Sequence, residues 1–171
     1  MHNTTIFKRV LLIIGIVVIT FVGLAAAYLY RAIPHSSEKA LVMFFNSNFA
    51  EDQLADPLIL AGKKVVPRLL EEITKKDMPR RRYAIYALGQ IGEPSAIPIL
   101  ESIMNDSSEA DYIRCDALEA IALIDRGRGR LLANQYGKGI GGTCLIIVES
   151  ILSNSSLEHR SFFDALIHKH D

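Results

Sequence analysis

Two near-copies of one string constrain this chain more than anything else in it: ILESIMNDSS begins at Ile99, and IVESILSNSS begins at Ile147. The likeness continues at the same offset of 48, since Asp116-Ala117-Leu118 returns as Asp164-Ala165-Leu166. A shorter offset of 33 relates Ala84, Ala87, Leu88 and Ile91 to Ala117, Ala120, Ile121 and Ile124. Each of those sets stands at i, i+3, i+4 and i+7, which is one face of an α-helix. A repeated helical unit this small cannot bury its own apolar stripe, so neighbouring units must stack.

Other stripes have the same spacing: Val66, Leu69, Leu70 and Ile73; Ile97, Leu100, Ile103 and Met104; Leu145, Val148, Ile151 and Leu152. Pro67 and Pro98 fall early in their helices, where a missing N–H costs little. Asp56-Pro57 and Glu93-Pro94 mark starts, and Gly92 marks an end. Asn105 to Glu109 reads as a turn with serine caps before the next helix. Connections this short predict antiparallel neighbours. No strand-like alternation persists beyond residue 35, so the expected fold is all-α: helical hairpin repeats in a short α-solenoid.

Arg81 and Arg114 each precede their alanine set by three positions. The stretch RRYAIYALGQIGEPSAIPIL (Arg81 to Leu100) resembles HEAT repeats, particularly the short bacterial HEAT-like kind also found in phycobilisome lyases. RCDALEAIALID (Arg114 to Asp125) and AGKKVVPRLLEEI (Ala61 to Ile73) carry the likeness more faintly, and together it covers roughly residues 55–125. The resemblance implies stacked antiparallel helix pairs in a right-handed superhelix that holds other proteins. It implies that Arg81 and Arg114 join neighbouring repeats through hydrogen bonds. It makes Ala84, Ala87, Leu88, Gly89, Ala117 and Ala120 structural repeat positions. Two departures stand out. Fifteen extra residues, essentially the glycine-rich and basic run Arg126 to Gly142, lengthen the offset from 33 to 48, and Phe162 replaces Arg114 in the last copy. The helix that ends the chain is expected to act as a cap or as an edge needing a partner.

Ahead of the repeats, Val10 to Tyr30 runs without a charge. As a helix it is about 30 Å long, the thickness of a bilayer's hydrocarbon core. Lys8 and Arg9 flank one end; Tyr28, Tyr30 and Arg31 suit the headgroup region at the other. Ala25-Ala26-Ala27 also offers a signal-peptide cleavage site, but the apolar run continues past it, which favours a retained anchor. The positive-inside bias places residues 1–9 in the cytoplasm and the rest beyond the membrane. The expected organisation is a tail (1–9), a transmembrane helix (10–30), a juxtamembrane linker with a first helix at Ser37–Phe45 (31–55), and a repeat domain (56–171).

Charge excludes one class of function. Lysine and arginine total 19, as do aspartate and glutamate; three of the cations lie at or before residue 31, leaving 16 basic against 19 acidic groups beyond it. A general nucleic-acid binder would show a basic excess, so nucleic acid is not an expected partner. The arginines still form two clusters, Arg80-Arg81-Arg82 and Arg126, Arg128 and Arg130. Arg80, Arg82, Arg126, Arg128 and Arg130 are speculative binding residues for an anionic group, set against solvated or ion-paired surface charge. Gly137 to Gly142 fits GxGxxG, but without a βαβ unit it reads as an inter-helix loop. His159, His168 and His170 do not share one helix face, so no metal site is expected. Cys115 and Cys144 have no metal-site spacing and read either as buried small hydrophobes or as a pair formed in an oxidising compartment. The expectation is a single-pass membrane protein without cofactor or catalysis, whose helical domain binds another protein through its concave face. The alternative is a HEAT-like lyase or chaperone subunit that assists cofactor attachment to a client.

Overall fold

The computed structural model describes residues 3–48, 51–136, 143–153, 157 and 166. Every regular element among them is helical, and the chain divides into two compact units, Met1–Ile33 and Pro34–Asp171. In the first unit, helix α1 (Asn3–Ala32) contains a 21-residue stretch, Leu11–Arg31, of mean hydropathy 2.6. It is long and apolar enough to cross a membrane. Thr20 donates its hydroxyl to the Ile16 carbonyl at 2.8 Å, so this polar group is satisfied within the helix.

The second unit opens with α2 (Ser37–Asn46), started by Ser36, whose hydroxyl accepts the Lys39 N–H at 3.1 Å. It buries Ala40, Leu41 and Phe44 and packs on α3 (Asp56–Ala61) and α4 (Val66–Ile73). The expected first helix thus packs on the array, within the compact unit Pro34–Asp171. Pro57 and Pro67 sit in the first turns of α3 and α4. Between these helices Gly62 takes φ 60°, a left-handed value that a residue with a Cβ reaches only under strain.

Helices α5 (Arg81–Ile91) and α6 (Ile97–Asn105) follow, divided by Gly92 at φ 70°. Then come α7 (Asp111–Ile124), α8 (Arg126–Tyr136) and α9 (Thr143–Leu152). Ala84, Ala87, Leu88, Gly89, Ala117 and Ala120 are all buried, as the repeat pattern requires. α5 packs along α7 so closely that a Cβ on Gly89 would lie 2.8 Å from the Ala120 Cα. The turn before α7 is built differently from expectation. Asp106 accepts both the backbone N–H and the hydroxyl of Ser108, at 2.9 and 2.6 Å, and α7 starts after Ala110 without a side-chain cap. The serines lie too far upstream to reach its first turn.

The glycine-rich insertion departs further from its sequence signature, because Arg126–Tyr136 is helix α8. Glycine disfavours a helix by about 1 kcal/mol relative to alanine. Here Gly129, Leu132, Ala133 and Tyr136 stand at i, i+3, i+4 and i+7 and face inward, which outweighs that cost. Asp125 starts the helix by accepting the Arg128 N–H at 2.9 Å. Gly129 is required at its place: a Cβ there would lie 2.5 Å from the Ala122 Cα on α7. Ala122 is the offset-33 counterpart of Gly89, so α8 occupies on α7 the seat that α7 occupies on α5. α9 packs on both α7 and α8 and buries Cys144, Val148 and Ile151. Leu157 and Leu166 pack on the same core; the GxGxxG run, the three C-terminal histidines and Phe162 lie outside the described residues.

Candidate interaction surface

The two repeat arginines are interior pins. Arg81, only 6% exposed, donates from Nε to the Ile73 carbonyl at 2.7 Å and from Nη1 to Glu109 at 2.8 Å. Arg114 repeats the pattern, from Nε to the Met104 carbonyl at 2.9 Å and from Nη2 to the Tyr136 hydroxyl at 2.8 Å. Tyr136 donates its own proton to the Met104 carbonyl. Each guanidinium thus ties the last turn of the preceding helix to a residue further along the stack, Glu109 in the turn before α7 for Arg81 and Tyr136 at the end of α8 for Arg114. The Tyr136 bond also pushes the Arg114 pKa up, and the guanidinium lies 5.3 Å from the centre of the Tyr136 ring. Around Glu109, Lys76 reaches Asp106 at 2.7 Å; that bond and those from Ser108 hold the Asp106 carboxyl far below the usual aspartate range.

The five arginines marked as speculative binding residues do not gather into one anion site. Arg80 has a left-handed backbone (φ 60°), and its guanidinium donates to the Phe44 carbonyl and, at 2.8 Å, to the Ser47 carbonyl. It satisfies the open end of α2, a partner 33 residues upstream that no local pattern reveals. Arg82 bonds Asp116, 3.2 Å from Nε to Oδ2, and Arg128 on α8 bonds Glu101 on α6 at 2.5 Å. Arg126 and Arg130 are exposed on α8.

One of these pairs instead reveals a surface. On α5 seven of eleven residues are buried, and Arg82, Tyr83 and Tyr86 open to solvent along one strip, with Ile91 half-buried at the end of the helix. On α7 Tyr112, Asp116, Glu119 and Leu123 open to solvent at i, i+4, i+7 and i+11, beside the exposed Asp111 and the partly buried Arg114 and Ile124. Tyr83 and Tyr86 stand one repeat offset of 33 before Asp116 and Glu119. The Arg82–Asp116 bond bridges the two strips and makes them adjoin. Glu51 lies near enough to Tyr83 for its charge to act on the phenol. Burial, then the Glu51 charge, raise the Tyr83 pKa; burial raises the Asp116 pKa against the pull of Arg82. Sequence reasoning kept to the alanine face and missed this strip, although the same offset carries it.

The far end of the stack is fastened covalently. Cys115 of α7 and Cys144 of α9 form a disulfide, with Cα atoms 5.4 Å apart, and both are almost fully buried. A cavity of about 10 Å³, lined by Asp111, Arg114, Cys115, Leu118, Tyr136 and Cys144, lies against it. That is room for about one water molecule. Among the described residues no three His, Cys, Asp or Glu side chains are grouped as a metal ion would need.

This architecture defines an all-α protein of HEAT-like helical repeats with an apolar N-terminal helix. The comparison of families agrees: residues 53–122 match the family described as HEAT repeats. Among curated proteins the chain is similar to the deoxyhypusine hydroxylase of Danio rerio, 26% identical over 96 residues. That stretch is 54% of this chain but 32% of the hydroxylase, so the chain spans about a third of that relative. No solved structure matches the chain.

Proposed function

We propose that this chain is a membrane-held adaptor whose helical stack binds another protein and has no catalysis of its own. The observation that carries the reading is the joined strip on α5 and α7. Three tyrosines and several charged groups are exposed or half-exposed along it. Tyrosine and arginine are the side chains most often used to anchor protein interfaces. Two separate cues support placing the stack outside the cytoplasm. Lys8 and Arg9 precede the apolar helix, as positive-inside topology asks of a cytoplasmic amino terminus. The buried disulfide suits an oxidising compartment, where such bonds form and persist.

The other class of function, a lyase or chaperone subunit that attaches a cofactor, needs a reactive group facing a cleft, as would the hydroxylase activity named for the Danio rerio relative. The cavity beside the disulfide has room for about one water molecule, too little to serve as such a cleft. The test is photo-crosslinking from full-length protein in native membranes, with the crosslinker at Tyr112 on the strip or at Glu71 on α4. A protein captured from Tyr112 supports the adaptor reading. No capture from either position refutes it.

A further inference from the structure

Helix α9 is lightly held by packing. Of its ten residues Cys144, Val148 and Ile151 are buried and Ile147 and Leu152 partly so, while Leu145 and Ile146 stand 44% and 71% exposed. That apolar contact is small against the conformational freedom lost in ordering ten residues. α8 buries little more, but the Arg114–Tyr136 and Arg128–Glu101 bonds also fasten it. α9 is fastened at its first turn by the disulfide from Cys144 to Cys115 on α7. The surroundings of that bond suit opening as well as closing. Both sulfurs lie over one acceptor, the Asp111 carbonyl, 2.8 Å from Cys115 Sγ and 3.6 Å from Cys144 Sγ. A carbonyl has two lone pairs, so this oxygen can take a thiol proton even inside a helix. Separated thiols need more room than bonded sulfurs, and the cavity of about 10 Å³ that both cysteines line supplies it.

We propose that the Cys115–Cys144 bond is a redox latch that decides whether α9 is docked. A dithiol reductant opens it. One of the reductant's thiolates attacks a sulfur of the bridge, the S–S bond breaks, and a mixed disulfide forms. The reductant's second thiolate then displaces the protein sulfur. Two electrons and two protons have passed to the protein, which holds two thiols, and the reductant leaves as its own cyclic disulfide. Both sulfurs are almost fully buried, so attack follows the lifting of the first turn of α9. The rest of the stack does not depend on the bridge. Arg114 keeps Met104 and Tyr136 through bonds that involve neither sulfur, and the Gly89–Ala120 approach keeps α5 on α7. Opening the latch therefore releases α9 and leaves α5, α7 and α8 together.

The experiment uses the full chain in nanodiscs, with dithiothreitol as the reductant and no denaturant. Alkylation followed by intact mass should show both cysteines converted to thiols. Residue-resolved hydrogen exchange is then read before and after reduction. The exchange rates of Leu145–Leu152 should rise at least about tenfold more than those of Ala84–Leu88 and Ala117–Ile121. Replacing dithiothreitol with oxidised glutathione should restore the slow exchange of α9. The double variant Cys115→Ser, Cys144→Ser should exchange fast in α9 without reductant and should not respond to it. A bond that dithiothreitol opens only in denaturant overturns the proposal, as does unchanged protection of α9 after reduction. Equal acceleration throughout the stack also overturns it, because the bond would then be a staple for the whole fold. So does protection of α9 that fails to return on oxidation.

Discussion

Two glycines on one helix should respond to the same substitution with opposite sign. Gly127 and Gly129 both lie in α8, two residues apart. In a helix exposed on all sides, Gly→Ala stabilises by about 1 kcal/mol, because alanine loses less backbone freedom. At Gly127 the added Cβ meets only the Asp125 Oδ1, at 3.4 Å, so that gain should appear. At Gly129 it would lie 2.5 Å from the Ala122 Cα and 3.1 Å from the Ala122 nitrogen. Carbon atoms rest about 3.5–4.0 Å apart, so α8 must retreat from α7 by about 1 Å. Backbone on both sides leaves no side chain to swing away, and Leu132, Ala133 and Tyr136 would lose contact together. Overpacking of this kind costs about 1–3 kcal/mol, and the backbone clash puts Gly129→Ala at the upper end. After the propensity gain, the net loss is about 2 kcal/mol. Thermal unfolding of the full chain in mild detergent, followed by circular dichroism, should show Gly127→Ala melting slightly higher than the natural protein. Gly129→Ala should melt lower, at roughly 3–5 °C per kcal/mol. A Gly129→Ala protein as stable as the natural one would refute the packing of α8 against α7.

The buried ion pair makes a second prediction: Glu109→Ala, which strands Arg81, should cost about 3–5 kcal/mol in urea unfolding, whereas Lys76→Ala at the exposed edge should cost under about 1. Removing the disulfide, by Cys115→Ser with Cys144→Ser, should lower stability by about 3 kcal/mol, since the bond closes a loop across a separation of 29 residues. Ala87→Phe, at a fully buried position, should cost about 1–3 kcal/mol or more by overpacking, measured in the same urea series. Carboxyl-carbon NMR should find Asp106 titrating below the ordinary aspartate range and Asp116 above it, and Lys76→Ala should bring Asp106 back up. The linkage follows with opposite signs. Asp106 contributes stability above its unfolded pKa that fades as pH falls through its depressed folded value. Asp116 binds its proton more tightly when folded, so its own contribution improves as pH falls through its raised folded value.

How much of this was legible in the chain depends on how local each cause is. The alanine faces of α5 and α7 were readable because helix periodicity is a property of residues within two turns of each other, and Ala84, Ala87, Ala117 and Ala120 are indeed buried. The roles of Arg81 and Arg114 came with the resemblance, and their bonds to Ile73 and Met104 agree with it. The apolar N-terminal helix was equally plain, since length and composition suffice to define it. α8 was hidden because glycine signals loop by propensity, and only the proximity of Ala122 gives Gly129 a reason to be in a helix. In the sequence Arg80 is only a speculative anion-binding residue or surface charge, because its partner, the end of α2, is distant along the chain. The cysteine pairing stayed open for the same reason: whether two Cα atoms come within 5.4 Å is decided by tertiary packing. The strip of Tyr83, Tyr86, Asp116 and Glu119 carried a sequence signal in its offset, but polar positions gave no cause to follow it.

The central claim is that α5, α7 and α8 lie side by side through small residues and form one cooperative platform beneath the strip. Residue-resolved hydrogen exchange of the full chain in nanodiscs tests it most directly. The account predicts that amides of Ala84–Leu88, Ala117–Ile121 and Leu132–Ala133 exchange together, at the slow rate of global unfolding. Fast or independent exchange in α8, with α5 and α7 still protected, would contradict it.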